Sequence, residues 1–289
     1  MKVLVLGGTR YFGRHLILDL LEKGHSVMVA TRGNLDFPFK DEVNFLKADR
    51  KNLDDLKSLA SLGPFDIIYD QICMNGEDAD KAVRAFKYQC KRYIFTSTGS
   101  VYDFQNDHVL VEEDFNNNNY PLNLTPPNPV NYQEDKRQAE VVFNNQNYFP
   151  AVMVRFPIVL GVDDYTNRLN FHIDKIKNGE PIYFPRIESR LNFVDSNEAG
   201  RFLSFIGETP FTGAINCASN GSITLRELIK MIEVAAGKNW VPGTNEENPS
   251  PFGVEKDFVL GNEKAKALGF KFLNLMDYLP GLITPRRQT

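Results

Sequence analysis

The sequence is poor in the residues that build disulfide frameworks and metal centres. Only three cysteines (Cys73, Cys90 and Cys217) stand among 289 residues, far apart and never as Cys-x-x-Cys. An odd, scattered set of thiols fits a reducing compartment and argues against a disulfide scaffold or a zinc ribbon. The four histidines (His15, His25, His108, His172) are equally dispersed, with no H-E-x-x-H pair, so no metal site is expected. No run of about 18 apolar residues occurs, so no transmembrane helix is expected. The opening MKVLVLGG runs straight into a strand-like segment, without the longer apolar region and cleavage site of a signal peptide. A cytoplasmic protein is the expectation. Positive charge is not in excess either, with 33 Lys and Arg against 37 Asp and Glu. A net charge of −4 gives no global basic footprint, which disfavours nucleic acid as a partner.

What is present is a regular alternation. Val3–Leu6 reads as a buried strand, and residues 13–23 place Leu16, Ile17, Leu20 and Leu21 at helical spacing before Gly24. Strands follow at Ser26–Ala30, Val43–Leu46, Phe65–Tyr69, Tyr93–Thr96 and Ala151–Phe156. Helical stretches cover Leu53–Ala60, Asp78–Tyr88 and Asn131–Asn145. Strand and helix in turn imply right-handed crossovers and a parallel, doubly wound sheet. The pattern breaks from Asp103 to Asn131, where Asn116–Asn119 precede Pro121, Pro126, Pro127 and Pro129. That stretch is read as a long loop over the active site, with a disordered insertion as the alternative. Beyond about Gly161 the alternation weakens, apart from a helix over Ser222–Ala236 with Thr224 as a candidate N-cap.

The first strand opens into Gly7-Gly8-Thr9-Arg10-Tyr11-Phe12-Gly13. A glycine-rich turn between strand and helix is where a dinucleotide pyrophosphate sits, against free N–H groups and the positive end of the helix dipole. Gly7 permits the sharp turn, and Gly13 permits close packing of helix on strand. Further on, Tyr132 and Lys136 form Tyr-x-x-x-Lys, and residues four apart share a helix face. A phenol ordinarily ionises near pH 10, and a neighbouring cation brings it into acid/base range. Taken alone, the pair is also compatible with a helix surface. The strand Tyr93-Ile94-Phe95-Thr96-Ser97-Thr98 ends in hydroxyls before Gly99-Ser100-Val101-Tyr102.

Together these segments resemble the extended short-chain dehydrogenases, the NAD-dependent epimerase/dehydratase family. The resemblance implies a Rossmann-type α/β fold: a doubly wound sheet over residues 1–161, completed by part of 190–220, and a smaller substrate-binding region over 162–289. It implies an NAD(P)-dependent enzyme moving a hydride at a carbonyl or secondary alcohol carbon of a sugar, sugar-nucleotide or similar small molecule. Thr98 would orient the reacting oxygen, with Ser97 and Ser100 as near alternatives. Tyr132 would exchange the proton, and Lys136 would lower the phenol pKa and hold the nicotinamide ribose. Gly7, Thr9, Arg10, Tyr11, Phe12 and Gly13 would cradle the pyrophosphate. Asp49 of Asp49-Arg50 would meet the adenine, with a helix-cap role as its alternative, and Arg50 would contact the cofactor beside it. Val154-Arg155-Phe156-Pro157-Ile158 is similar to the segment beside the nicotinamide, which brings in Pro157. Arg190, before Phe193-Val194-Asp195, would meet a substrate diphosphate or else form a surface ion pair. A homodimer through the helices near Tyr132 is the family expectation.

Several departures sharpen the reading. Arg10 replaces the middle glycine of the turn, and the second strand ends Thr31-Arg32-Gly33 with no acid for a ribose 2′-hydroxyl. Two arginines and no carboxylate favour NADP over NAD. Gly99 and Ser100 stand where dehydratases carry Asp-Glu, which disfavours a 4,6-dehydratase. Ile158 stands where epimerases place an asparagine near the diphosphate. Asp70-Gln71-Ile72 replaces a run of small residues, so Gln71 becomes a cofactor contact. The Gly-Gly-Thr-Arg turn, Thr31-Arg32-Gly33 and Asp49-Arg50-Lys51 also resemble the chloroplast stem-loop RNA-binding branch. RNA binding, or redox sensing without turnover, is therefore the alternative function.

Overall fold

Lys2–Leu6 can sit at the centre of a sheet because its apolar run tolerates burial on both faces, and Val3–Leu6 are fully covered. The computed structural model describes residues 1–34, 39, 41–125, 129, 131–244 and 247–284. The chain runs β1 (Lys2–Leu6), α1 (Phe12–Glu22), β2 (Ser26–Thr31), β3 (Asn44–Lys47), α2 (Leu53–Ala60), β4 (Ile67–Asp70) and α3 (Gly76–Phe86). It continues through β5 (Tyr93–Thr98), α4 (Tyr132–Asn145), β6 (Ala151–Phe156), β7 (Ile158–Leu160), α5 (Arg168–Asn178), β8 (Pro181–Ile182) and β9 (Arg190–Leu191). Then come β10 (Phe193–Asp195), α6 (Ser196–Glu208), β11 (Gly213–Asn216), β12 (Ile223–Thr224), α7 (Leu225–Ala236), β13 (Val241–Pro242), α8 (Glu263–Ala267) and α9 (Leu275–Ile283).

Seven strands form one parallel sheet in the order β3-β2-β1-β4-β5-β6-β11. From β1 the chain first fills one edge, then crosses back to lay β4 on the other side. This reversal makes the carboxyl ends of β1 and β4 a topological switch point, where ligands bind in such sheets. Polar caps start the helices that follow: Asn52, Asn75 and Asn131 each accept backbone N–H groups of the first turn.

The chain divides into two compact units. The first comprises Met1–Asp103, Glu112–Phe156 and Asn197–Cys217, and holds the seven-stranded sheet. Its core includes Leu4, Leu6, Ile68, Phe95, Phe143 and Met153. The second comprises Phe104–Val111, Pro157–Ser196 and Ala218–Thr289. There three two-stranded pairs (β7 with β10, β9 with β12, β8 with β13) accompany a core of Ile176, Leu191, Phe193, Leu228, Ile232 and Leu279. Among the described residues, no helix is long and apolar enough to cross a membrane.

Among the described residues, the stretch from Asp103 to Asn131 is a loop as expected, broken only by the 3-10 turn Glu112–Asp114, but part of it is buried. Leu110, Glu112, Phe115 and Asn117 are buried. Arg155 makes this possible in the first unit, because its guanidinium takes the carbonyls of Glu112 and Phe115, both at about 3 Å. Backbone can be buried once its polar groups are paired. Pro126, Pro127, Asn128 and Val130 lie outside the described residues.

Candidate active site

The turn after β1 works through backbone that only small residues tolerate. Gly7 and Gly8 have φ of +89° and +83°. A Cβ on Gly8 would lie 2.8 Å from Val5 Cγ1, and one on Gly13 would lie 2.6 Å from Gly8 Cα. Helix and strand thus close on each other through Gly8 and Gly13, and Gly8 is a position that the sequence reading passed over. Its signal was available in the Gly7-Gly8 doublet. Tyr11 is the N-cap of α1 at φ 54°, and Phe12 packs on Phe156 with ring centres 5.4 Å apart. Thr9 is half-buried and Arg10 exposed beside them.

Gln71 completes this cradle. It follows β4, its backbone N–H donates to Leu6 O, and its side-chain Oε1 borders the Gly13 Cα. The carboxamide Nε2 is buried and has no hydrogen-bond partner among the described residues. A buried N–H without a partner is costly unless something accepts from it. The glycines that exclude a Cβ and this waiting donor fit a dinucleotide at the switch point. Along the edge beyond β2, Arg32 is exposed, Thr31 Oγ1 accepts from Gly33 N, and the Lys47 side chain reaches Gly33.

Asp49 and Arg50 separate. Asp49 is half-buried, its Oδ1 accepting from Lys51 N at 2.9 Å. The cap of α2 is Asn52 and not Asp49. Arg50 was expected at the cofactor but turns inward and is only 3% exposed. Its Nε and Nη2 donate to Asp70, and its Nη1 to the Asp78 carbonyl. Burial opposes its charge, yet Asp70 holds the Arg50 pKa well above the usual value. Tyr93 also donates to Asp70, at 2.7 Å, and burial with that carboxylate raises its phenol pKa.

Thr98, Ser100, Tyr132 and Lys136 come together around the start of α4. Thr98 Oγ1 caps the short 3-10 turn Gly99–Val101 by accepting from Ser100 N, and donates to Ser100 Oγ at 3.2 Å. Two α4 side chains staple that turn: Gln133 Nε2 donates to Tyr102 O and Arg137 Nε to Val101 O, both at 2.7 Å. Tyr132 is the first residue of α4 and 47% exposed. Lys136 points inward beneath it. Its Nζ donates to Cys73 O and Thr96 O, each at 2.8 Å, and lies 4.5 Å from the Phe95 ring centre. Burial lowers the Lys136 pKa, while Cys73, Asp70 and Glu140 work in the other direction.

Arg155 belongs to a sealed network. All five of its N–H donors are used, on Glu140, Tyr102 Oη and the carbonyls of Glu112 and Phe115. Ser97 and Asn117 also donate to Glu140. Pro157 is buried between β6 and β7. In the second unit Arg190 is exposed, and its guanidinium donates to Ser222 Oγ at 3.1 Å.

Fold, glycine cradle and the hydroxyl–Tyr–Lys set define a Rossmann-type enzyme of the short-chain dehydrogenase class. Residues 3–218 match the model of the "NAD dependent epimerase/dehydratase family", and the chain belongs to that family of NAD-dependent enzymes. A curated relative, the "Chloroplast stem-loop binding protein of 41 kDa b, chloroplastic" of Arabidopsis thaliana, is 27% identical over 297 residues, covering 93% of this chain and 75% of that protein. The "Bifunctional UDP-glucose 4-epimerase and UDP-xylose 4-epimerase 1" of Pisum sativum is 28% identical over 144 residues, covering 39% of this chain and 41% of that one. Among solved structures, the UDP-glucose 4-epimerase of Thermotoga maritima with UDP-glucose superposes with a TM-score of 0.79 at 18% identity, covering 98% and 97% of the two chains. That likeness concerns the fold.

Proposed function

We propose that the chain is an NAD(P)-dependent oxidoreductase or epimerase acting at a carbonyl or secondary alcohol carbon of a sugar nucleotide or similar small molecule. The observation that carries this reading is the seating of Lys136. Its ammonium is fixed by two carbonyls on the face of α4 that also presents Tyr132, and the same helix start is stapled to the Thr98–Ser100 hydroxyl pair. A bound nicotinamide would supply or take up the hydride. Thr98 Oγ1 orients the substrate oxygen. The Tyr132 oxygen takes the proton from that hydroxyl on oxidation and returns it on reduction. The Lys136 cation favours the phenolate and holds the ribose.

Gly7, Gly8, Thr9, Tyr11, Phe12, Gly13 and Gln71 are assigned to the pyrophosphate, Asp49 to the adenine and Pro157 to the nicotinamide side. Arg10 and Arg32, both exposed, favour a 2′-phosphate and thus NADP. Arg190 is the candidate for a substrate diphosphate. The UDP-sugar epimerase of Pisum sativum, aligned over 39% of this chain, supports a sugar-nucleotide substrate. The stem-loop binding relative, aligned over 93% of the chain, supports RNA binding as a second reading.

Titration with NADPH and NADH, read by nicotinamide fluorescence, tests the proposal. NADPH should bind tighter than NADH, and Arg32→Ala should weaken NADPH alone by about tenfold, or about 1.4 kcal/mol. Tyr132→Phe should keep cofactor affinity and lose turnover by roughly 10²–10⁴. Failure of the wild type to bind either cofactor at millimolar concentration would sink the enzyme reading. RNA affinity that falls with salt and ignores Tyr132 would replace it.

A further inference from the structure

Two parts of the site meet in one short segment, residues 71–75, between β4 and α3. Gln71 turns its carboxamide toward Gly13, and Cys73 gives its carbonyl to Lys136. The segment is held at both ends by buried carboxylates. Ile72 N donates to Asp70 Oδ1 and Met74 N to Asp78 Oδ2, each at 3.3 Å. Arg50 links the two anchors, through its ion pair with Asp70 and its bond to the Asp78 carbonyl. Asp70 is fully buried and Arg50 almost so, which leaves Arg50 no surface with which to meet a dinucleotide.

A buried ion pair is weak evidence for stability, since well-packed apolar residues often serve as well. Its position explains it better than its energy does. We propose that Arg50 is a positioning residue: by clamping Asp70 to the Asp78 backbone it sets residues 71–75, so that the Cys73 carbonyl fixes the Lys136 ammonium and the Gln71 amide faces the glycine turn. This rests on the proposed roles of Lys136 and Gln71. The titratable groups facing Lys136 are Asp70 at the end of β4, the Cys73 thiol in the segment after it, Glu140 on its own helix and Arg50. The first three favour the ammonium, whereas Arg50 and burial oppose it.

The test uses the full chain and the same fluorescence titration, extended into the alkaline range where Lys136 loses its proton. Arg50→Met combined with Asp70→Asn removes both charges, so no buried ion is left unpaired, and the carboxamide oxygen of the Asp70→Asn change can still accept from Ile72 N. The paired variant should fold like the wild type, bind nicotinamide cofactor about tenfold more weakly, as expected for a lost coupled contact, and lose affinity at lower pH. Arg50→Lys keeps a cation beside Asp70 but gives up the Asp78 carbonyl, and should show a smaller change in the same direction. A folded paired variant with wild-type affinity and an unmoved alkaline limb overturns the proposal. If the paired variant fails to fold, Arg50→Lys decides: unchanged affinity and limb overturn the proposal, and weakened affinity with a shifted limb supports it. A wild type that binds neither cofactor overturns the functional reading itself, and is recognised before any variant is made.

Discussion

Two ways of burying a polar group can be compared, one taken from each unit. The first buries charges in pairs, Arg155 with Glu140 and Arg50 with Asp70. The second, besides pairing buried Asp257 with Arg186, buries a neutral ring. His172 is fully covered, stacked on Phe184 and Phe252 at 5.8 and 4.6 Å between ring centres. Its Nδ1 faces the Arg168 carbonyl at 2.8 Å, which can only accept, so Nδ1 carries the proton. Nε2 then accepts from Ser250 Oγ at 2.7 Å, and the uncharged ring is satisfied on both sides. Burial moves the His172 pKa down to about 4. The difference shows that full hydrogen bonding is the common requirement of a buried polar group. Charge is an added expense, met here where the carboxyl ends of the central strands carry the candidate chemistry.

The strongest way to break that contrast is to halve an ion pair. Arg155→Leu leaves Glu140 buried without its ion-pair partner, and should cost about 3–5 kcal/mol in urea unfolding. Removing both charges with Arg155→Leu and Glu140→Leu should recover a large part of the loss, because the penalty lies in the orphaned charge. A single-variant cost near the roughly 0–1 kcal/mol of a surface pair would show that the site is wetter than its burial implies.

The neutral histidine predicts a smaller effect with a definite sign. The folded pKa lies below the unfolded value, so the unfolded chain binds the proton first. The stabilising contribution is therefore complete above pH 6.5 and is lost as pH falls toward about 4. Integrated over that window it amounts to about 3 kcal/mol at most. His172→Gln, which keeps a donor and an acceptor but cannot titrate, should flatten the slope of unfolding free energy between these limits. An unchanged slope would assign the acid sensitivity to other groups.

The contrast also explains what the sequence disclosed. Parallel strands buried on both faces read as apolar runs and half-buried helices as a 3.6-residue period, so the strands Lys2–Leu6 and Ala151–Phe156 and the helices Leu53–Ala60 and Tyr132–Asn145 were legible almost to the residue. Thr224 was legible as a cap because Glu227 stands three residues on, and the capping box forms. The two-residue strands of the second unit were not, since a pair such as Pro181–Ile182 carries no period. The direction of a long side chain was not legible either. Arg50 follows Asp49 in a motif that points to the cofactor, but its partner Asp70 is twenty residues away in the sequence. Arg155 likewise gave no sign of its partners, two of which are carbonyls in the polar stretch that read as loop. Patterns along the chain show which face is buried. They do not show which polar atoms will meet across it.

The finest test places the same small lesion in each unit. Asn131 caps α4 in the first, accepting from Glu134 N at 3.2 Å, and Thr224 caps α7 in the second, accepting from Glu227 N at 3.1 Å. Either residue changed to alanine should cost about 1 kcal/mol of stability, the usual value of a lost N-cap. The functional outcomes should part. Tyr132 is the first residue of α4, so fraying that turn in Asn131→Ala should loosen the phenol and lower cofactor affinity and turnover, while Thr224→Ala should leave both at wild-type levels. Thr224→Ser restores a capping oxygen and should regain the stability. Equal affinity in the two alanine variants would mean that Tyr132 is held by the staples from Gln133 and Arg137 and owes little to its cap.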